Sequence, residues 1–206
     1  MKVLLFNGSP HEKGCTYTAL SETARVLEEN GVETEIVWLG KAPISSCWSC
    51  GACRKGLGKC VQEDIVNEMA QKCDGADGFV FGSPVHYAGA SGALTAFMGR
   101  LFYSGSKALA YKPVAGMVSC RRGGASAAFD QINKYFTINN MPVVSANYWN
   151  QVHGNLPAEV EKDEEGLQNA RIIGYNMVWL LKCIELGKNA GITPQTEKKI
   201  KTNFIR

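Results

Sequence analysis

Four cysteines, Cys47, Cys50, Cys53 and Cys60, stand in a C-x2-C-x2-C-x6-C run. Two-residue spacing lets loop sulfurs converge on one centre, and Gly56 and Gly58 give the last arm freedom to return to it. Four thiolates so placed could hold a [4Fe-4S] cluster. A zinc site obeys similar spacing rules, and such cysteines can also stay free of metal. The run departs from the ferredoxin pattern C-x2-C-x2-C-x3-C-P, and Val61 stands where that pattern has proline, so all four thiolates would serve one cluster. Eight cysteines are many for a reducing compartment, where disulfides do not persist. Cys73, Cys120 and Cys183 lie singly in apparently folded segments and are expected to be buried, inert thiols.

Three further stretches combine groups that suit a phosphorylated, flat ligand. From Asn7 to Thr18, the hydroxyls of Ser9, Thr16, Tyr17 and Thr18 gather with His11 and Cys15 before a helical pattern, and a helix N-terminus there would offer unpaired N–H groups to a phosphate. Helix capping by Ser9 or Thr16 needs only one of these hydroxyls. The stretch is neither G-x-G-x-x-G nor G-x-x-x-x-G-K-S/T, which points to a monoester rather than a pyrophosphate. The second stretch holds Ser83, Pro84, Val85, His86, Tyr87 and Gly89, where backbone amides can approach a ring such as an isoalloxazine; ordinary packing of His86 and Tyr87 is the alternative. Gly89, Ala90, Gly92 and Ala93 leave room for close packing, for instance by a second subunit. In the third, Ser119 precedes Arg121, Arg122, Gly123 and Gly124. Either guanidinium could meet the negative charge of a reduced flavin or a nicotinamide 2′-phosphate, or serve the surface without a ligand. The aromatic and polar run Asn147–Gly154 could lie against a substrate or a partner flavin; its lone His153 reads as structural.

These stretches need a scaffold that brings them to one side. Short apolar runs alternate with helical patterns, as in a parallel sheet covered by helices on both faces. Strands are expected at Val3–Phe6, Glu35–Leu39, Gly78–Phe81, Pro113–Ser119 and Pro142–Ala146, with helices from Thr16 to Asn30, over about Val61–Lys72, through Leu94–Phe102, and at Ala127–Thr137. A long helix over about 166–188 closes the chain, after a solvated acidic loop at Glu159–Glu165 and before a tail at Lys198–Arg206. Residues 43–60 form a long ordered loop, of the kind that carries function. The expected fold is α/β: a flavodoxin-like three-layer sandwich around a five-stranded parallel sheet of order 2-1-3-4-5, with ligands beyond the carboxyl ends of the first and third strands.

Composition narrows the partners. The 206 residues are 45% hydrophobic and 20% charged, with no linker-like stretch, so a single α/β domain over 1–206 is expected. Lys and Arg number 22 against 19 Asp and Glu, too even a balance for a nucleic-acid binder. No apolar run of about 18 residues could insert in a membrane, and the first apolar stretch ends too soon for a signal peptide, so a cytoplasmic protein is expected.

Asn7-Gly8-Ser9-Pro10 with Gly14 and Thr16, together with Gly82-Ser83-Pro84-Val85-His86-Tyr87, resembles the NADPH-dependent FMN reductase family of flavodoxin-like proteins over most of the chain. The cysteine run is closely similar to the compact motif of the iron-sulfur flavoproteins in that family. The resemblance implies noncovalent FMN, hydride uptake from NADPH or NADH, and a homodimer or homotetramer whose neighbouring subunit closes the flavin site. Cys15 departs from the asparagine usual in relatives. Stacked nicotinamide and flavin rings need orientation more than an acid or base, so no protein side chain is assigned to catalysis. Electrons would pass to a quinone, nitro or azo compound, or through the cluster to a redox partner. The competing reading is a noncatalytic flavin-binding or zinc-loop interaction protein.

Overall fold

The computed structural model describes residues 1–202 and Phe204. Its central strand, β1 (Lys2–Asn7), lies between β2 (Glu33–Trp38) and β3 (Gly78–His86), and all three run parallel. The sheet continues in parallel through β5 (Val114–Cys120) to β6 (Gln151–His153), so its order is β2-β1-β3-β5-β6. A two-residue strand, β4 (Gly89–Ala90), folds back antiparallel on the end of β3. Counting only parallel strands, this is the expected 2-1-3-4-5 order.

Alternation along β1 shows how the sequence makes three layers. Leu4 and Phe6 face one core with Phe79 and Phe81, closed by α2 (Ile65–Asp74), α3 (Gly92–Ser104) and α5 (Ala125–Ile138). Val3 and Leu5 face the other with Val80 and Met117, closed by α1 (Cys15–Glu29) and the long α7 (Glu164–Asn189). Aromatic rings dominate the first core: Phe6 stacks on Phe81 at 4.9 Å between centroids, and Phe81 meets Phe136 at 5.5 Å. Short helices α4 (Ser106–Leu109) and α6 (Pro157–Val160) complete the connections.

Several boundaries differ from expectation, each for a local reason. Strand β3 runs on to His86 because Val85 and His86 pair with Ala90 and Gly89, so the expected loop after Phe81 is a strand end and a hairpin. Helix α2 starts at Ile65, later than expected, because the carboxylate of Asp64 caps it by accepting from the Val66 N–H at 3.1 Å. The acidic stretch is not simply a loop, since it includes part of α6 and the start of α7, capped by Asp163. At the sheet edge, the expected strand at 142–146 is reduced to one bridge, Val143 to Val114. The chain then leaves the ladder, and the buried Asn150 fills the gap by donating its amide to Gly116 O (3.0 Å) and Val144 O (3.4 Å). Pairing resumes only at Gln151–His153, within the run read as a loop. Residues 43–60 contain one turn of 3-10 helix, Ala52–Arg54. Of the expected tail, 198–202 and Phe204 lie outside regular elements, and the remainder lies outside the described residues.

Candidate functional site

Because β1, β3 and β5 are neighbours, the segments after them meet at one edge of the sheet. The first is shaped by Asn7, whose Oδ1 accepts from the Ser9 N–H (3.1 Å) and whose Nδ2 donates to Glu12 O (2.9 Å). Trp38 at the end of β2 donates its indole N–H to Ser9 O at 2.9 Å. Ser91, at the start of α3, donates its hydroxyl to Gly8 O (2.7 Å) and its N–H to Ser83 Oγ (2.9 Å). Thr16 and Ser119 share a hydrogen bond of 2.8 Å between their hydroxyls, and both are buried. The loops after β1, β3 and β5 are therefore held together by side chains distant in sequence. Trp38 and Ser91 escaped the sequence reading because each works through a partner elsewhere in the chain, whereas Asn7, the first residue of the quoted motif, shapes its own loop.

Of the helix starts at this edge, α3 is capped by Ser91, whose hydroxyl accepts from the Leu94 N–H at 3.2 Å, whereas those of α1 and α5 lack side-chain caps. Gly14 caps α1 and Gly124 caps α5, neither supplying a side-chain acceptor for the first turn. The α1 N–H groups, flanked by the hydroxyls of Ser9 and Thr16, suit an anion. Gly124 has φ +87°, and a Cβ on it would lie 2.8 Å from Val85, so the β3 hairpin packs directly on this turn. His11 is exposed and Tyr17 half-buried. The Cys15 thiol turns aside to donate to Gly154 O at 3.6 Å, leaving that residue only its backbone for the loop, and burial pushes its pKa up. Ser83 is buried, its hydroxyl occupied by Pro84 O and Ser91. Tyr87 projects fully into solvent with φ +62° at the turn between β3 and β4. Arg121, Arg122 and Gly123 are exposed on the β5–α5 turn. An open cleft of about 520 Å³ lies between Gly8, Pro10, His86 and Ser91 on one side and Lys41–Ile44 on the other.

Those last residues lead into the cysteine loop. Cys47, Cys50, Cys53 and Cys60 all line one cavity of about 370 Å³ with Arg54, Arg100 and Tyr103, and no Asp, Glu or His shares that lining. Left-handed backbone at Ser49, Gly51, Gly56 and Gly58 produces the turns between the sulfurs. Among the described residues, no three His, Cys, Asp or Glu groups lie close enough to hold one ion. The thiols share a chamber without converging within it. Three are fastened through their sulfurs: Cys47 accepts from the Ser49 N–H at 3.4 Å, Cys53 donates to Tyr103 O at 3.9 Å, and Cys60 accepts from the Arg100 Nε–H at 3.3 Å. A lining of four thiols and two guanidinium groups matches a thiolate-held, anionic group in its donor set. Elsewhere Cys73 and Cys120 are buried as expected, with burial pushing Cys73 up to about 12, whereas Cys183 is exposed on α7.

An open parallel sheet with a hydroxyl-lined helix start at its carboxyl edge defines a flavodoxin-like α/β protein. Residues 1–155 match the NADPH-dependent FMN reductase family, and the chain belongs to that family of flavin oxidoreductases. It is 32% identical over 193 residues to an iron-sulfur flavoprotein of Methanocaldococcus jannaschii, covering 90% of this chain and 100% of the relative. Another relative, the iron-sulfur flavoprotein of Methanosarcina thermophila, is 27% identical over 193 residues, covering 92% and 100%. Among solved structures, an NAD(P)H:quinone oxidoreductase from Methanothermobacter marburgensis superposes with TM-score 0.65 at 17% identity, covering 86% of this chain and 96% of that one. A flavodoxin from the domain Archaea gives 0.61 at 13% identity, covering 88% and 99%. These two show the shared fold. Among the described residues, no helix is long and apolar enough to cross a membrane.

Proposed function

We propose that this protein binds FMN at the β1, β3 and β5 edge, oxidises NAD(P)H there, and passes the electrons on through a [4Fe-4S] cluster held by Cys47, Cys50, Cys53 and Cys60. The single observation that carries the flavin site is the Thr16–Ser119 hydroxyl pair beside the uncapped start of α1. Ser9, Thr16 and the N–H groups of Cys15, Thr16 and Tyr17 would hold the phosphate, with His11 at the mouth of the loop. Pro84, Val85, His86, Tyr87 and Gly89 would border the ring, above a floor fixed by Ser83, Ser119, Gly123 and Gly124. Arg122, on the exposed β5–α5 turn, would place positive charge near it. The chemistry supplied by bound FMN is two-electron uptake from NAD(P)H, and that of a cluster is one-electron relay. The protein's part is to orient the rings and exclude water.

For the thiol loop, the common lining and the names of the relatives favour iron and sulfide over zinc. The acceptor is then a redox partner, or a small quinone, nitro or azo compound, and a homodimer or homotetramer would cover the exposed Tyr175 and Trp179 of α7.

FMN-loaded protein is expected to oxidise NADPH or NADH with a quinone or ferricyanide; turnover of neither nucleotide would leave a binding module. Thr16→Val is expected to weaken FMN binding about tenfold, the loss of roughly 1.4 kcal/mol, in a fluorescence titration. Protein purified without oxygen is expected to carry iron and acid-labile sulfide, which Cys50→Ser removes while FMN stays bound. Zinc in place of iron would refute the cluster and leave the reductase.

A further inference from the structure

Among the described residues Arg100 is the largest fully buried side chain, and it sits within the apolar stripe of α3 beside Phe97 and Leu101. A buried guanidinium is costly unless every donor finds a partner. Here all five N–H donors do. Nε donates to Cys60 Sγ at 3.3 Å. Nη1 donates to Asp64 Oδ2 and to Ser45 O at 3.4 Å, and Nη2 to Asp64 Oδ1 at 2.9 Å and Gln62 O at 3.0 Å. Ser45 lies just before the first cysteine of the run, while Cys60 and Gln62 lie at its end. One side chain therefore clasps both ends of the loop and fastens them to α3 and to the cap of α2.

The clasp is asymmetric toward the sulfurs. The bidentate pair with Asp64 fixes the guanidinium plane, so its remaining edge is aimed at Cys60 and not free to swing. Asp64 is itself fixed by capping α2. Cys60 thus faces a preset hydrogen-bond donor and a fixed positive charge. Hydrogen bonds to ligand sulfur and positive charge nearby both favour the more negative, reduced state of a thiolate-held cluster.

We propose that Arg100 is a positioning residue for the cysteine loop, holding Cys60 as the preformed ligand and raising the reduction potential of the group it helps to bind, with Asp64 opposing that rise. This rests on the reading of the loop as a cluster site. Two substitutions should move the potential in opposite directions. Arg100→Gln removes the cation and the Nε donor. Asp64→Asn keeps the α2 cap and an oxygen for Arg100 but removes the balancing negative charge.

The test is a redox titration of the iron-sulfur absorbance in anaerobically reconstituted, FMN-loaded protein, with iron content and circular dichroism measured on the same samples. The ratio of reduced to oxidised cluster at a fixed poise is expected to fall at least tenfold in Arg100→Gln, about 59 mV for one electron. It is expected to rise in Asp64→Asn. Potentials that stay at the wild-type value in both variants, or move in the same direction, overturn the proposal. Should Arg100→Gln fail to fold, the sign of the Asp64→Asn shift decides alone: an upward shift supports the proposal, and no shift or a downward one refutes it. Wild-type protein that takes up no iron removes the cluster reading and this proposal together, whereas iron-loaded wild type with unmoved variants removes the proposal only.

Discussion

Tyr87 pairs a bulky side chain with a left-handed backbone, a combination that costs about 1–2 kcal/mol relative to glycine. Its ring is fully exposed, so packing within the chain does not offset that cost. The strain makes sense if the ring is held out for a ligand at the edge of the sheet. Tyr87→Gly is therefore expected to stabilise FMN-free protein by about 0.5–1 kcal/mol in urea unfolding, the strain relieved less the larger entropy of unfolded glycine. The same change is expected to weaken FMN binding. A loss of both stability and binding would mark the ring as a packing residue instead. At this scale, legibility followed sequence distance. Ser9, Thr16 and the four loop cysteines stand in local runs whose types and spacing carry meaning. Arg100 reaches Cys60 and Asp64, 40 and 36 positions away, and no local pattern joins them. Its only trace was a charge placed inside an apolar helical stripe.

Helices α1 and α7 meet across a contact set by one missing methyl group. A Cβ on Gly174 would lie 2.7 Å from Val26 and 3.2 Å from the carbonyl of Thr23. Helix propensity alone favours alanine by about 0.8–1 kcal/mol, but overpacking costs about 1–3 kcal/mol. The packing effect wins, and Gly174→Ala is expected to lower the urea midpoint. Gly187, on the same helix, has only Ile192 at 3.9 Å, so Gly187→Ala is expected to raise the midpoint by the propensity difference. Equal effects at both positions would contradict the close approach of the two helices. Elements were legible where periodicity governs them, as in α7, expected over 166–188 and found at Glu164–Asn189. They were not legible where one side chain overrides the pattern. Asp64 delays α2, and Asn150 substitutes for backbone pairing at the edge, which shifts the last strand from 142–146 to Gln151–His153.

For the molecule as a whole, Cys73 links folding to alkaline pH. Burial holds its thiol protonated up to about 12, against 9.0 for the free group. Between those values the unfolded chain has lost a proton that the native protein keeps, so stability falls as pH rises, by at most about 1.4 kcal/mol per pH unit. Burial lowers the pKa of neighbouring Lys112, which acts in the opposite sense. The comparison of wild type with Cys73→Ala isolates the thiol. Urea midpoints from pH 8 to 11 are expected to decline more steeply in wild type, and parallel profiles would refute the coupling. The global order of parallel strands was readable because buried runs and helical patterns simply alternate. Which loops bond to one another was not, since contacts such as Thr16 to Ser119 exist only once the sheet has folded.

The interrupted border at Asn150 also leaves little sheet margin open to extension by another strand. A long row of unpaired amides at a sheet margin invites strand-to-strand zippering and fibrillation. Here the β6 margin is three residues long, and the opposite margin, β2, carries Glu33 and Glu35, both paired with Lys2. Neither border offers a smooth template for growth of the sheet into aggregates.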